Sequence, residues 1–288
     1  MIDMPKVMVT GAGGFVGRHL VKMLAVQGFS VAAYCHKDLE LTDSSAVEAA
    51  VKECRPDFLV NCAAISSTVY SEEHPDESMS MNVDVCVILA KVCRELGIKL
   101  FVMSSDQVYR GCTLWGALPE STENVPGNVY GRHKLLMEQL VLAENPDAVA
   151  LRLAWMFEKH GAGEPPWAHE DLISRLIDTS RSGGTMKAST RELRGISDVD
   201  EVCANIIKAF SCCEDGSPLP GGVYNFGSEN ENVTYITMSH VAPFAGIPAE
   251  NIIPDDSWGR NLSMDCSKLS SFGIKFRDTE SAICQVFE

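Results

Sequence analysis

The chain has 288 residues, of which 45% are hydrophobic and 22% charged, a composition typical of a soluble globular protein with a sizeable core. Its formal net charge of −15 disfavours binding to nucleic acid or to an anionic membrane. The 11 cysteines are scattered, without a C-x-x-C pair or a Cys/His spacing typical of zinc, so we expect a reduced cytoplasmic protein with no metal site. We also expect no secretory signal and no membrane span, since no apolar run approaches roughly 20 residues.

Strand-like and amphipathic helix-like segments alternate through the first half of the chain. We predict strands at 6–10, 30–34, 57–61, 99–104 and 148–153, and helices at 14–27, 43–54, 75–96 and 130–144. Such alternation is typical of a parallel sheet covered by helices on both faces. The sequence therefore predicts an α/β fold, a Rossmann-like doubly wound parallel sheet, in which ligands bind at the carboxyl ends of the strands.

The pattern becomes looser beyond residue 155. The stretch His160–Trp167 is rich in Gly and Pro and predicts a loop that acts as a lid. Later elements are predicted as helices at 171–182, 197–213 and 234–245, and as a short strand at 223–226. Because these are too few for a second full sheet, we expect a dinucleotide-binding domain at 1–157 and a smaller, interleaved substrate-binding lobe at 158–288.

A glycine cluster, Gly11–Gly17, follows the first predicted strand with the spacing G-x-x-G-x-x-G. Gly11 permits a tight turn, Gly14 lets the backbone approach a diphosphate, and Gly17 lets the next helix pack closely on the strand. The N–H groups and dipole of that helix favour an anion at its start. An ordinary turn between strand and helix would contain similar glycines, so the later motifs must decide between the two interpretations.

Two further motifs lie later in the predicted sheet. Tyr130 and Lys134 are four residues apart on a predicted helix and share a face, where the ammonium would make the phenol easier to ionise. Ser104 and Ser105 end the fourth strand, where a hydroxyl can hold a carbonyl oxygen beside that proton donor. Taken separately, a solvent-facing helix pair and a strand-end cap explain these residues as well. Their order and spacing after the glycine turn favour catalysis.

These motifs, together with Asn61-Cys62-Ala63-Ala64, resemble in type and order those of the extended short-chain dehydrogenases/reductases. Within that superfamily the chain is similar to the dTDP-4-dehydrorhamnose reductase family. The segments that carry this similarity are D-L-E-L-T-D at 38–43, S-S-D-Q-V-Y-R-G at 104–111 and R-L-A-W at 152–155. The resemblance covers residues 6–157 well and the remainder loosely.

The resemblance implies that a nicotinamide cofactor delivers hydride to a carbonyl group. Tyr130 would be the general acid, Lys134 would bind the nicotinamide ribose and lower the pKa of Tyr130, and Ser105 would orient the carbonyl. Asn82 matches an asparagine often found in the long helix, although helix packing explains it equally well. The implied cofactor-binding residues are Gly11, Gly14, Phe15, Val16, Gly17, His36, Lys37, Glu40, Leu41, Cys62, Ala63, Ala64, Ser104, Tyr130, Lys134 and Leu153. The implied substrate-binding residues are Ser66, Asp106, Val108, Trp155 and Arg260.

The end of the second strand bears on the choice of cofactor. Proteins that prefer NAD place an acidic residue there to bind the adenosine 2′-hydroxyl. This chain has Tyr34-Cys35-His36-Lys37 instead, and two cationic side chains would favour a 2′-phosphate. We therefore expect NADP(H) to be preferred. NAD(H) stays as an alternative, because Glu40 could reach the ribose and both cations could simply be solvated.

The C-terminal part departs from the reductase pattern. The segments G-R-N-L-S at 259–263 and T-R-E-L-R-G-I-S at 190–197 replace the family's R-P-x-N-S and D-Q-x-G-x-P-T. Three arginines there either clamp a nucleotide diphosphate or form surface and inter-lobe ion pairs: Arg191, Arg194 and Arg260. Three tryptophans either stack on a base or sugar or pack in the interior: Trp155, Trp167 and Trp258.

The sequence thus predicts an NADP(H)-dependent reductase of a keto group on a nucleotide-activated deoxysugar. Its partner would be a small-molecule nucleotide sugar, with no nucleic acid or membrane, and a homodimer is left open. An NAD-dependent epimerase or dehydratase is one alternative, although Ser105-Asp106-Gln107 has only one of the two acids usual in dehydratases. The other alternative is a non-catalytic NADP-binding regulatory subunit, similar to the methionine adenosyltransferase β-subunit, against which the intact Ser105, Tyr130 and Lys134 argue.

Overall fold

A computed structural model describes residues 4–159 and 172–288, so the predicted lid His160–Trp167 lies outside the described residues. The strands are β1 (Lys6–Thr10), β2 (Ser30–Tyr34), β3 (Phe58–Asn61), β4 (Lys99–Ser105), β5 (Val149–Leu153), β6 (Trp155–Phe157), β7 (Met186–Arg194), β8 (Ile196–Asp198), β9 (Gly222–Phe226) and β10 (Ile252–Leu262). The helices are α1 (Phe15–Val26), α2 (Ser44–Cys54), α3 (Thr68–Glu73), α4 (Pro75–Met79), α5 (Val85–Leu96), α6 (Val129–Glu144), α7 (Leu172–Ser182), α8 (Val199–Lys208), α9 (Thr234–Val241), α10 (Ser267–Ser270) and α11 (Thr279–Cys284). In these two ranges no helix is long and apolar enough to cross a bilayer.

A parallel sheet of six strands, in the order β2-β1-β3-β4-β5-β9, forms the centre of the fold. The predicted fold class, a Rossmann-like doubly wound sheet, is therefore confirmed. The chain leaves β1 toward β2 on one side and returns to place β3 on the other. Between β1 and β3 lies the switch point at which a crevice opens beyond the carboxyl ends of the strands. Two smaller two-stranded sheets, β10-β7 and β6-β8, stand beside this layer.

The elements predicted in the first half agree with the structure to within two residues at each end. The long helix predicted at 75–96 is continuous but contains one wider π-helical turn, Ser80–Asp84. The strand predicted at 223–226 is β9, which pairs with β5 and so returns the late chain to the main sheet. The domain division at residue 157 stays a prediction.

Several elements of the second half were missed or misplaced. The helix predicted at 197–213 is the shorter α8, because its first residues form β8 and Asp198 caps the helix by accepting from Asp200 N. The strand β7 was missed, since buried Glu192 and Arg194 interrupt the apolar pattern that identifies strands. The strand β10 carries a proline, two aspartates and a register shift, which hide it in the same way.

Apolar side chains from helices on both faces of the sheet form the core. On one face α1 and α8 pack on the sheet, and Phe210 stacks on Phe58 of β3 with ring centroids 4.3 Å apart. On the other face α2, α5 and α6 cover β1, β3 and β4 with a separate aliphatic cluster. Burial on both faces fixes the sheet, and with it the positions of the loops that follow each strand.

Charged side chains join α1 and α8 near their first turns. His19 Nδ1 lies 2.7 Å from an Asp200 carboxylate oxygen, and His19 Nε2 lies 3.0 Å from Glu158 Oε2. Burial lowers the pKa of His19, but hydrogen bonds with Asp200 and Glu158 outweigh it, so the pKa of His19 is raised. The imidazolium therefore stabilises the folded state.

We expect the His19→Gln substitution to change the pH dependence of stability. Because the pKa of His19 is raised on folding, its contribution is fully present below the unfolded pKa of about 6.5 and is lost as pH rises through the folded pKa. The free energy of unfolding in urea should thus differ between native protein and variant more at about pH 5.5 than at about pH 8.5. His36→Gln, which alters an exposed side chain, is the control. A His19→Gln effect that is equal at both pH values would contradict this account.

Candidate active site

The glycine turn after β1 depends on two residues that tolerate no side chain. Gly11 has φ +68°, and a Cβ there would lie 2.4 Å from Ala63 N in the loop after β3. A Cβ on Gly17 would lie 2.2 Å from the carbonyl oxygen of Gly11. Gly14 caps α1 and donates its N–H to Gly11 O at 2.9 Å. The turn therefore presents the N-terminus of α1 to the crevice without side chains in the way.

Two cavities that share Gly14, Cys62 and Ala64 form one continuous cleft along the carboxyl ends of the strands. The first, of about 600 Å³, lies over β1, β2 and β3 and reaches His36, Lys37 and Leu41. The second, of about 800 Å³, extends over β4 and β5 to the residues of the later chain. The predicted residues that line the second cavity are Phe15, Val16, Ser66, Ser104, Ser105, Asp106, Tyr130, Lys134, Leu153, Trp155 and Arg260.

Three residues predicted for the site lie away from this cleft. Gly17 is buried beneath the glycine turn, where its role is packing. Glu40 turns to its own loop, where it accepts hydrogen bonds from Thr42 N and Oγ1. Val108 is fully buried in an apolar cluster below the site, because it occupies the inner side of a 3₁₀ turn that follows β4. Glu40 also lies 3.8 Å from His36, which lines the first cavity, and the assignment of all three as binding residues stays a prediction.

Ser105, Tyr130 and Lys134 meet where α6 packs on the end of β4. Tyr130 and Lys134 lie one turn apart, with the Lys134 ammonium 5.6 Å from the centre of the Tyr130 ring. Lys134 Nζ donates to the carbonyl oxygen of Met103 at 2.8 Å. Ser105 ends β4, and its hydroxyl donates to Asp106 Oδ1 at 3.2 Å. The three side chains thus line one wall of the cleft.

Close packing brings these groups together. The helix α6 starts at an Asn128 cap, whose side chain accepts from Gly131 N at 2.7 Å. A Cβ on Gly131 would lie 2.5 Å from the carbonyl oxygen of Gln107, so only glycine permits this approach of helix and strand end. Glu72, from α3, accepts from Val129 N at 2.8 Å and so binds the start of the same helix.

Burial dominates the protonation of the site. It raises the pKa of Tyr130, and the charge of Asp106 adds to the shift while hydrogen bonding with Ser105 opposes it. The Lys134 ammonium donates to Met103 rather than to the phenol oxygen, so the lowering of the pKa of Tyr130 by Lys134 stays a prediction. Burial also lowers the pKa of Lys134, and the charges of Cys86 and Glu138 oppose that shift.

Asn82 lies in the π-helical turn and is completely buried. Its side-chain amide binds the backbone of Ile65 twice, accepting from the N–H at 3.2 Å and donating to the carbonyl at 3.0 Å. It also donates to Ser78 Oγ at 3.1 Å. These bonds fix the loop after β3 that forms the floor of the cleft, which is the packing interpretation of this residue.

Two arginines of the later chain line the second cavity of the cleft. Arg194 Nη2 is 2.9 Å from an Asp106 carboxylate oxygen, and its guanidinium lies 4.7 Å from the centre of the Trp155 ring. Arg260 Nε is 2.6 Å from Glu192 Oε1. Arg194 Nε is buried and has no hydrogen-bond partner among the residues that the structure describes. Both arginines are thus ion paired with carboxylates of this chain.

Sequence reasoning left the places of two residues open and overlooked others. Arg191 lines a neighbouring pocket of about 390 Å³ rather than the cleft, and Trp258 packs near Arg260 and is 42% exposed. Trp167 lies outside the described residues. The cleft residues that were missed include Thr68, Val69, Glu72, Met103, Gln107, Arg110, Gly127, Asn128, Ala154 and Met156. Of these, Asn128 carried a signal, since an asparagine before an amphipathic segment predicts a helix cap.

A crevice at the switch point of a doubly wound sheet, a glycine turn at a helix N-terminus and a Ser-Tyr-Lys set define a dinucleotide-binding protein of the short-chain dehydrogenase/reductase type. The chain belongs to the family described as the RmlD substrate binding domain, whose model matches residues 5–257. The resemblance inferred from the motifs is thereby confirmed.

Individual relatives point to two kinds of protein. Methionine adenosyltransferase 2 subunit beta of Bos taurus is 27% identical over 289 residues, which cover 93% of this chain and 83% of the relative. The dTDP-4-dehydrorhamnose reductase of Streptomyces griseus is 38% identical over 176 residues, which cover 60% of this chain and 54% of the relative. The crystal structure of dTDP-4-dehydrorhamnose reductase from Bacillus anthracis in complex with NADP has a TM-score of 0.84 at 20% identity, covering 99% and 98% of the two chains, and so shows the same fold.

We expect the Gly17→Ala substitution to lower the free energy of unfolding by about 2 kcal/mol or more, because the added methyl group cannot avoid the Gly11 carbonyl. Gly13→Ala is the matched control, since a Cβ there would lie 3.3 Å from the flexible Cys35 side chain. Urea denaturation of both variants checks the difference. Equal stabilities for the two variants would show that the turn can relax.

Proposed function

We propose that this protein is an NADP(H)-dependent reductase of a keto group on a nucleotide-activated deoxysugar. The observation that carries the proposal is the position of Ser105, Tyr130 and Lys134 on one wall of a cleft that starts at the glycine turn. The family, and relatives that include the dTDP-4-keto-6-deoxy-D-glucose reductase of Streptomyces niveus at 38% identity over 202 residues, support the substrate class.

The cleft fits a dinucleotide. The first cavity offers the backbone of Gly11 and Gly14 and the first turn of α1, where a diphosphate would be held. Lys134 would hold the nicotinamide ribose. Of the described residues that line this cavity none is a carboxylate, whereas His36 and Lys37 lie at the end of β2, which supports NADP(H) over NAD(H). The bound cofactor would supply hydride.

The proton then comes from this chain's own residues. Burial raises the pKa of Tyr130, so its phenol stays protonated at neutral pH and can act as the general acid toward a carbonyl oxygen. The Ser105 hydroxyl would hold that oxygen beside the phenol. Lys134, which reaches Met103 from the next turn of α6, would carry positive charge near the tyrosinate left after proton transfer.

Arginines of the later chain offer donors to a nucleotide diphosphate. Arg194 and Arg260 line the cleft, where each is ion paired with a carboxylate of this chain. Diphosphate oxygens would accept from the guanidinium N–H groups that these carboxylates do not use. Trp155, whose ring packs against the Arg194 guanidinium, would contact the sugar.

A non-catalytic NADP-binding regulatory subunit is the second candidate. It is favoured by the alignment with methionine adenosyltransferase 2 subunit beta, which spans 93% of this chain, more than the 60% for the Streptomyces griseus reductase. Purified protein that binds NADPH, reduces no keto-sugar and retains a co-purified partner would favour it. Tightly retained NAD⁺ would instead indicate an epimerase.

We further propose that the protein acts in the cytoplasm, where its 11 free cysteines would stay reduced. We also propose the division into a dinucleotide-binding domain and a substrate lobe near residue 157. The return of β9 to the main sheet supports an interleaved rather than a separate lobe. A homodimer stays open.

Tyr130→Phe tests the mechanism. With a dTDP-4-keto-6-deoxysugar and NADPH, we expect kcat to fall at least 100-fold, because the general acid is lost, while the Kd for NADPH changes less than about twofold. NADPH oxidation at 340 nm and fluorescence titration measure the two quantities. Tyr70→Phe removes the hydroxyl of a tyrosine outside the lining of the cleft and should keep native activity. Turnover that survives in Tyr130→Phe would refute Tyr130 as the acid.

Lys37→Glu tests the cofactor preference. A carboxylate at this position would repel a 2′-phosphate and accept a hydrogen bond from a 2′-hydroxyl, so the ratio of kcat/KM for NADPH to that for NADH should fall about tenfold or more. Lys91→Glu, on the exposed face of α5, makes the same change in net charge away from the cleft and should leave the ratio unaltered. An unchanged ratio in Lys37→Glu would mean that Lys37 is only solvated.

A further inference from the structure

The stripe of α6 that carries Tyr130 and Lys134 continues one turn further to Glu138. These three residues are spaced four apart and face the sheet together. Glu138 is 2% exposed, and its carboxylate is fully engaged. Oε1 accepts from Ser104 Oγ at 2.5 Å and from Arg152 Nε at 2.9 Å, and Oε2 accepts from Arg152 Nη2 at 2.7 Å.

The partners of Glu138 are themselves fixed. Arg152, on β5, donates from Nη1 to the Tyr109 hydroxyl at 2.5 Å, and its guanidinium lies 4.9 Å from the centre of the Tyr109 ring. That hydroxyl donates in turn to Asn225 Oδ1 on β9 at 3.0 Å. A carboxylate held by two charge-assisted bonds from such a partner has one rotamer, so it keeps one distance from its neighbours on α6.

Lys134 depends on a nearby negative charge. The residue is 2% exposed, and the described residues offer its ammonium one hydrogen-bond acceptor, the Met103 carbonyl. A neutral carbonyl does not balance a buried cation. Met103 and Ser104 are consecutive on β4, so Lys134 and Glu138 are anchored at adjacent residues of one strand. The charges of Cys86, on α5, and of Glu138 oppose the lowering of the pKa of Lys134 that burial causes.

We infer that Glu138 is a positioning residue for the reaction: fixed by Arg152 and Ser104, its carboxylate keeps Lys134 protonated beside Tyr130. The inference rests on the proposed function for its meaning in catalysis, but its physical content concerns Lys134 alone. A purely structural alternative is that the pair of Glu138 and Arg152 only ties α6 to the sheet. That alternative predicts lower stability on substitution and no change in the titration of Lys134.

The Glu138→Gln substitution distinguishes the positioning role of Glu138 from the purely structural one. The amide retains the size of the side chain and an acceptor for Ser104, but removes the charge, so the pKa of Lys134 should fall by about one unit. NMR of ¹³Cε-labelled lysine, with the Lys134 signal assigned by Lys134→Arg, reads this titration directly. The alkaline loss of NADPH affinity and of kcat/KM should move to lower pH by the same amount.

Two variants control for instability. Tyr109→Phe removes a hydrogen bond from Arg152 but retains all three charges, so it should lower Tm and leave the Lys134 titration where it is. If Glu138→Gln fails to fold because Arg152 is left unpaired, the double variant Glu138→Gln/Arg152→Gln removes both charges and should still shift the titration. A folded variant without Glu138 that has the native pKa of Lys134 would overturn the inference, as would an equal shift in Tyr109→Phe. If the native protein reduces no keto-sugar but Glu138→Gln still lowers the pKa of Lys134, only the reductase proposal is refuted.

Discussion

The approach of α6 to the end of β4 is the constraint on which the site depends. Gly131 lies where a Cβ would be 2.5 Å from the Gln107 carbonyl, so helix and strand end are as close as backbones allow. From that contact Lys134 reaches the Met103 carbonyl, and Tyr130 reaches the Ser105 hydroxyl.

Burial at the contact between α6 and the end of β4 also changes the pKa values of its side chains. A phenol and an ammonium enclosed together are both driven toward their neutral forms, which suits a tyrosine that must donate a proton but not a lysine that must stay charged. Two carboxylates on different elements resolve this conflict. Asp106, in the turn after β4, adds to the raised pKa of Tyr130, whereas Glu138, a turn beyond Lys134 on α6, opposes the lowering of the pKa of Lys134.

Local sequence patterns predicted the first half of the fold, in which strands and helices alternate regularly. Each strand from β1 to β5 is an apolar run, and the helices between them begin and end at recognisable residues, such as Asp43 and Gly97. The glycine turn and the pair on α6 could be found because the residues of each motif lie close together in the sequence. Glu72 could not be found, since it comes from a helix of six residues and meets α6 only through the tertiary fold.

The later chain was harder to interpret for a physical reason. The sequence does not show which group an arginine binds, so it cannot distinguish an arginine that binds a ligand from one that forms an ion pair. The structure shows that Arg194 and Arg260, which line the cleft, form ion pairs. Glu192, 3% exposed, binds Arg260 at 2.6 Å and lies 3.7 Å from Arg194, while Asp106 holds Arg194 from the other side. Carboxylates that orient guanidinium groups in this way lower the entropy lost when an anion binds.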